Sequence, residues 1–240
     1  MLDLLKKQID TKAKDMSGIK LRECNWSVKT AGPSPDDNNR TELFLLGCKK
    51  AMSGNPCKGC FNSSTWDVSK ALWTHDPKLM AEHINNNAPN KYITIGGGEP
   101  TDQIENLIIL CKELKKYNFH IMIYTWKDLK SILSPYTISV HKKGTIEHET
   151  IYNSERDNFL ELLKYVDIVV DGQYKQEERL WDGSKEDGLL SSVGSGNQTI
   201  WNINEKIGYK MRDINKLYLN EQNKLIYELK ENVTPYYLEK

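Results

Sequence analysis

The chain has 240 residues, with 33 Lys and Arg against 33 Asp and Glu, and 38% hydrophobic content. Balanced charge without a basic run gives no footing for nucleic acid or an anionic membrane surface, and apolar runs such as Leu107–Leu110 are far too short to span a bilayer. The N-terminal stretch MLDLLKKQIDTKAK lacks the apolar core of a signal peptide, so a soluble, cytoplasmic protein is expected, in which the five cysteines are metal ligands or buried thiols rather than disulfides.

In chain order, residues 1–22 alternate apolar and charged positions as an amphipathic helix does. Residues 31–40, AGPSPDDNNR, read as a loop, and Glu42–Leu46 as a buried strand ending at Gly47-Cys48. Ser69–Asn87 has helical character broken near Asp76-Pro77. Tyr92–Ile95 is a short strand running into Gly96–Thr101, GGGEPT. A helix follows over Gln103–Tyr117, with Ile104, Leu107, Ile108, Cys111 and Leu114 on one face. His120–Tyr124 is a strand, Trp126–Leu133 a short helix, and Tyr136–Ile151 an inserted hairpin around Lys142-Lys143-Gly144. Ser154–Tyr165 is a helix with Ser154 as N-cap, and Asp167–Val170 a buried strand ending at Asp171-Gly172. Beyond Gly194–Gln198, GSGNQ, come a strand over Thr199–Ile203 and a terminal hairpin, Leu217–Leu219 with Lys224–Leu229. Strands alternating with helices predict an α/β fold on a mostly parallel sheet. In such folds sites gather at the C-terminal ends of strands, where Cys48, Gly96–Glu99, Tyr124-Thr125 and Asp171-Gly172 all fall.

The chemistry is concentrated in Phe44–Trp66, which sets Cys48, Cys57 and Cys60 within thirteen residues. Three thiolates on one loop suit a soft metal or an iron–sulfur cluster, and leave one position of a four-iron cluster open. A structural zinc knuckle is the competing reading, but it wants a fourth Cys or His, and His75 and His83 lie in a helical stretch without ligand spacing. The triple glycine is either a tight strand-to-helix turn or a point where the backbone closely approaches a ligand. Cys111 falls on the apolar helix face and Cys24 lies far before the cysteine loop, so neither is expected to be a ligand. Asp171 either meets a cofactor or counter-ion, or caps a turn. Ser195, Asn197 and Gln198 either recognise a partner or close a turn. Trp66 and Trp181 flank the site.

Taken together, LFLLGC, the Cys57–Cys60 pair followed by Phe61-Asn62 and Thr65-Trp66, GGEP, a Tyr124-Thr125 strand end, the VDG of Val170–Gly172 and Gly194–Gln198 resemble one family. It is the activating proteins of anaerobic ribonucleoside-triphosphate reductase, within the radical S-adenosylmethionine superfamily. The resemblance runs from Leu43 to Ile200. It implies a partial (β/α) barrel forming a single domain over 1–240, with a core of about 41–204, an N-terminal extension 1–40 and a C-terminal extension 205–240. It implies a [4Fe-4S] cluster on Cys48, Cys57 and Cys60, with S-adenosyl-L-methionine chelating the fourth iron. Gly97, Gly98 and Glu99 would receive the methionine amino group, and Gly59 and Phe61 would lie near the rest of the cofactor. The implied activity is reductive cleavage of S-adenosylmethionine, followed by hydrogen abstraction from a glycine of the reductase large subunit. An electron donor such as flavodoxin is implied as well. A small-molecule enzyme of the superfamily, such as 7-carboxy-7-deazaguanine synthase, is the alternative. Two features depart from the family pattern: eight residues separate Cys48 from Cys57 where three are usual, and Trp126 stands where a Gly usually follows Tyr-Thr.

Overall fold

A computed structural model describes residues 18–29, 32–35, 39–71, 74–142, 145–180 and 194–238. The predicted N-terminal helix falls mostly outside these residues. Of its positions only 18–22 enter the structure, and none is helical: Ile19 bridges to His75, and Leu21 and Arg22 open a strand, β1 (Leu21–Val28). There follow β2 (Arg40–Leu45), a helical turn α1 (Lys49–Met52), α2 (Pro77–Asn87), β3 (Tyr92–Gly97), α3 (Ile104–Lys116), β4 (His120–Tyr124) and α4 (Leu129–Leu133). The expected hairpin is β5 (Tyr136–Lys142) with β6 (Thr145–Ile151). Then come α5 (Arg156–Leu163), β7 (Ile168–Asp171), β8 (Thr199–Asn202), β9 (Ile207–Lys210), β10 (Ile214–Leu219), β11 (Leu225–Leu229) and β12 (Tyr236–Tyr237).

The architecture is mixed α/β. Eight strands form one sheet in the order β1-β2-β3-β4-β7-β8-β9-β12. β2, β3, β4 and β7 are parallel; β1 joins one side and β8, β9 and β12 the other, all antiparallel. Residues before 41 and after 204 therefore supply strands to the same sheet as the core. No helix among the described residues is long and apolar enough to cross a membrane.

Two helix starts differ from expectation. α2 begins at Pro77, with the Asp76 carboxylate accepting from the N–H groups of Lys78 and Leu79. Proline lacks an N–H and disfavours helix in the residue before it, so the helix cannot extend back to Ser69, and only a 3-10 turn, Val68–Lys70, forms there. α5 begins at Arg156, and Ser154 does not cap it. Asn153 Oδ1 accepts the Glu155 N–H instead.

Side chains alternate across the sheet. One set, including Leu43, Leu45, Ile93, Ile95, Ile121 and Ile123, packs under the helices with Met80, Leu107, Leu110 and Leu114. The opposite face is covered only in part. Met122, Ile168, Val170 and Ile200 pack against Leu217, Leu219 and Leu225 of the β10–β11 hairpin, and the tip of that hairpin reaches β3, where Tyr92 OH donates to Asn223 Oδ1 at 2.6 Å. The rest of that face, above Glu42, Phe44, Thr94 and Gly96, is left as the wall of a cleft.

Beneath this cleft lies Arg40, wholly buried. Its guanidinium donates to Thr94 Oγ1 (2.8 Å), Pro33 O (2.7 Å), Ile93 O (2.6 Å) and His120 O (3.1 Å), joining β2 to β3 and β4. Among the described residues no carboxylate bonds it, and burial lowers its pKa to about 10. Burial, and then Arg40 itself, hold His120 down at about 3, so that imidazole stays neutral. Because removing the guanidinium strips several buried carbonyls of their donor, Arg40→Met is expected to destabilise the protein by on the order of 3 kcal/mol. Equilibrium urea unfolding of the two proteins measures this.

Candidate functional site

β2 and β3 leave the sheet side by side, Leu45 opposite Gly97. The loops that follow lie backbone on backbone. Gly98 N–H donates to Leu45 O (2.9 Å) and Glu99 N–H to Gly47 O (2.7 Å). Gly97 has a left-handed φ of +112°, which favours glycine. A Cβ on Gly98 would run into the Gly47 carbonyl. The close approach at Gly98 is thus made to the cysteine loop. From the other side, Gly47 N–H donates to Thr65 O (2.8 Å) and Cys48 N–H to Trp66 O (2.9 Å), so Thr65-Trp66 clamps the first cysteine.

Cys48 sits at the N-cap position of α1. The widened Cys48–Cys57 spacing therefore opens with a helical turn. A helix advances about 1.5 Å per residue against about 3.3 Å in a strand, so the extra residues are stored without pushing Cys57 away. The Lys49 N–H donates to Asp102 Oδ2 (2.6 Å), and Lys127 Nζ lies 3.8 Å from Asp102 Oδ1 while pairing with Glu155.

The result is a cleft of about 450 Å³, with Cys48, Cys57 and Cys60 at one end and Gly97–Glu99 beside them. Burial raises the thiol pKa of Cys48 and Cys57, and each also feels a neighbouring thiol: Cys57 acts on Cys48, and Cys60 on Cys57. The backbone N–H groups of Ala51 and Tyr174 oppose this by bonding the sulfurs of Cys48 and Cys57 respectively. N–H donors on sulfur are the usual support for cluster thiolates, and binding a cluster would displace the thiol protons. Among the described residues no three Cys, His, Asp or Glu side chains converge closely enough to hold a single metal ion. Three thiols along one wall instead suit a cluster whose irons occupy separate corners.

A family model described as a 4Fe-4S single cluster domain matches residues 37–201. The chain belongs to this family. It is also similar to three proteins named anaerobic ribonucleoside-triphosphate reductase-activating protein. The one from Enterobacteria phage T4 is 29% identical over 167 residues, covering 64% of this chain and 85% of its own. That of Haemophilus influenzae is 24% identical over 159 residues, 62% and 84% of the two chains. That of Vibrio cholerae is 26% identical over 166 residues, 67% and 86%.

The expected site residues divide. Glu99 is buried at the cleft wall, with burial raising its pKa. Its Oε1 accepts from Thr101 N (3.0 Å) and Oγ1 (2.6 Å), and its Oε2 from Trp126 N (2.9 Å), tying the glycine turn to the end of β4. Phe61 is 51% exposed at the cleft, 4.9 Å from the Tyr174 ring, with the Arg179 guanidinium 5.0 Å from its centroid. Two residues stand outside the wall. Gly59, at φ +71°, is packed on Gln176. Asp171, raised to about 6 by burial, accepts the Leu129 N–H at 2.7 Å. The GSGNQ segment closes a turn: Gln198 Nε2 donates to Gly172 O (3.0 Å) and Asn197 Nδ2 to Gln173 O (2.9 Å). Cys24 lies opposite Leu43 on β1, raised to about 12 by burial, and Cys111 is buried among the helices with its thiol raised still further. Trp181 lies outside the described residues.

Three cleft residues, Glu42, Phe44 and Trp126, were given no place in the site by the sequence. Glu42 and Phe44 share a face of β2 that strand alternation could have revealed. Trp126 replaces the expected glycine, and its indole N–H is buried at the cleft with no acceptor among the described residues. A Cβ on Gly96 meets only Tyr124 Cδ2, at 3.9 Å, so its missing side chain opens the cleft without serving the backbone. Gly96→Val is therefore expected to retain iron after reconstitution while weakening S-adenosylmethionine binding at least about tenfold. Gly98→Val is expected to lose both, because it pushes Gly47 and Cys48 apart from the turn. Iron analysis and equilibrium dialysis of the two variants distinguish these outcomes.

Proposed function

We propose that this protein activates an anaerobic ribonucleoside-triphosphate reductase by installing a glycyl radical on its large subunit. The carrying observation is that Cys48, Cys57 and Cys60 share one cleft with the Gly97–Glu99 turn, in a chain of the 4Fe-4S single cluster family whose relatives bear that activating name. The three thiolates would hold a [4Fe-4S] cluster, leaving one iron for S-adenosylmethionine. When bound, cluster and S-adenosylmethionine supply a reductively generated 5′-deoxyadenosyl radical. The chain does the rest. Thr65-Trp66 and the glycine turn fix the cysteine loop from both sides. Phe44, Trp66, Tyr124 and Tyr174 line the cleft with aromatic surface that excludes water. The half-exposed Phe61 offers a ring face to the cofactor.

The parallel run β2-β3-β4-β7 with its helices supports a partial (β/α) barrel of the radical S-adenosylmethionine type, and the shared sheet supports a single domain over 1–240. A cytoplasmic setting and a low-potential donor such as flavodoxin belong to this reading, since a cluster with an open iron needs reducing surroundings. Neither the deazaguanine-synthase nor the zinc-module alternative is favoured by the names of the relatives or the spread of the thiols.

Reconstituted with iron and sulfide and reduced without oxygen, the protein is expected to release methionine and 5′-deoxyadenosine. With a candidate reductase it is expected to give a glycyl-radical EPR signal. A fully loaded, reducible cluster without cleavage would defeat the reading. Cys48→Ala is expected to lose cleavage and most of its iron, whereas Cys24→Ala and Cys111→Ala keep both; iron content and product analysis of the three variants test this.

A further inference from the structure

The cleft contains a carboxylate that the cluster and cofactor reading does not use. Glu42 lies on β2 opposite Thr94 of β3, and both line the cleft. It is three residues before Leu45, which pairs with Gly97. At about 3.3 Å per residue, Glu42 therefore lies about 10 Å down the sheet from the glycine turn, away from the cysteine end.

Of the two carboxylates in the cleft wall, Glu99 already accepts three hydrogen bonds from Thr101 and Trp126. Glu42 takes part in no hydrogen bond or ion pair among the described residues. No Lys, Arg or His lies among the described residues of the wall. Arg40, two positions away on the same strand, has turned its donors to Thr94, Pro33, Ile93 and His120. Glu23 on the adjoining β1 adds a like charge, which together with burial raises the Glu42 pKa to about 7. A half-buried carboxylate without a donor is costly, and the cost disappears when a donor of opposite charge arrives.

We infer that Glu42 is a recognition residue that receives a cationic side chain, an arginine or lysine, on the polypeptide segment entering the cleft. This rests on the activase reading for the identity of the incoming molecule. It rests on the cleft for the chemistry: an apolar and aromatic wall, an uncompensated negative floor, and enough depth beyond the cysteine end for a side chain beside the reacting residue. Glu42 would then fix which residue of the segment stands at the cofactor, by anchoring a neighbour at a set distance from it.

The test uses reconstituted protein with S-adenosylmethionine bound, under anoxic conditions. The probes are three capped glycine-rich heptapeptides, with a central arginine, citrulline (its neutral near-isostere) or glutamate. The wild-type protein is expected to bind the arginine peptide about tenfold more tightly than the citrulline peptide, in keeping with one charge-assisted contact. Glu42→Gln is expected to remove that ratio while iron content and melting temperature show a loaded, folded protein. Glu42→Lys is expected to reverse the preference toward the glutamate peptide. Equal binding of the arginine and citrulline peptides by the wild type, no binding of the arginine peptide at millimolar concentration, or an arginine preference surviving in Glu42→Gln would overturn the inference. So would an equal loss of S-adenosylmethionine affinity in Glu42→Gln, since the carboxylate would then serve the cofactor. Glycyl-radical formation by the wild-type protein is read separately, so Glu42 can fail while the activase reading stands.

Discussion

The structure depends on a contact between two stretches of backbone. Gly97–Glu99 lies directly on Leu45–Gly47, held by two hydrogen bonds at a separation that leaves no room for a Cβ on Gly98. This contact sets the height of Cys48 relative to the glycine turn. The thiol end of the cleft and the turn beside it are therefore one mechanical unit. Glycine is required at Gly97 by its backbone conformation and at Gly98 by crowding, whereas Gly96 is small for the sake of the cleft.

Around that contact the polar groups of the site mostly serve the protein. Glu99 gives its oxygens to Thr101 and Trp126, Asp102 holds the start of α1, and Asp171 holds the start of α4. These buried carboxylates tie successive strand ends together, which fixes the positions of loops that would otherwise be mobile. Glu42 is the exception, because it faces the cleft and has no hydrogen-bond or ion-pair partner among the described residues. The contrast between occupied and unoccupied carboxylates separates scaffold from recognition more sharply than residue type does.

The widened cysteine spacing illustrates how a loop can lengthen without disturbing a site. Four of the eight residues between Cys48 and Cys57 coil into α1, which starts at the ligand and is fastened by Asp102. The C-terminal segments have an equally definite place. The β10–β11 hairpin covers part of the second sheet face, and its tip is fastened to β3 by Tyr92 and Asn223.

The sequence by itself determined the strands β2, β3, β4 and β7, both hairpins, the helix α3 and the three clustered cysteines. Each of these is written locally, in short apolar runs, helical spacing, turn residues or ligand spacing. It did not determine β1, whose residues mix charge with apolar side chains because one of its faces meets solvent and the other Leu43 and its neighbours. It left Asp171 open between a cofactor contact and a cap, and the triple glycine open between a tight turn and an approach to a ligand, because a short apolar strand end does not say which way its polar residues turn. Only the tertiary structure decided that Asp171 faces α4, that Gly59 stands outside the cleft, and that Glu42, Phe44 and Trp126 belong inside it. Those facts depend on which strand lies beside which and on what covers each face, and such long-range pairings leave no mark within the segment that carries them.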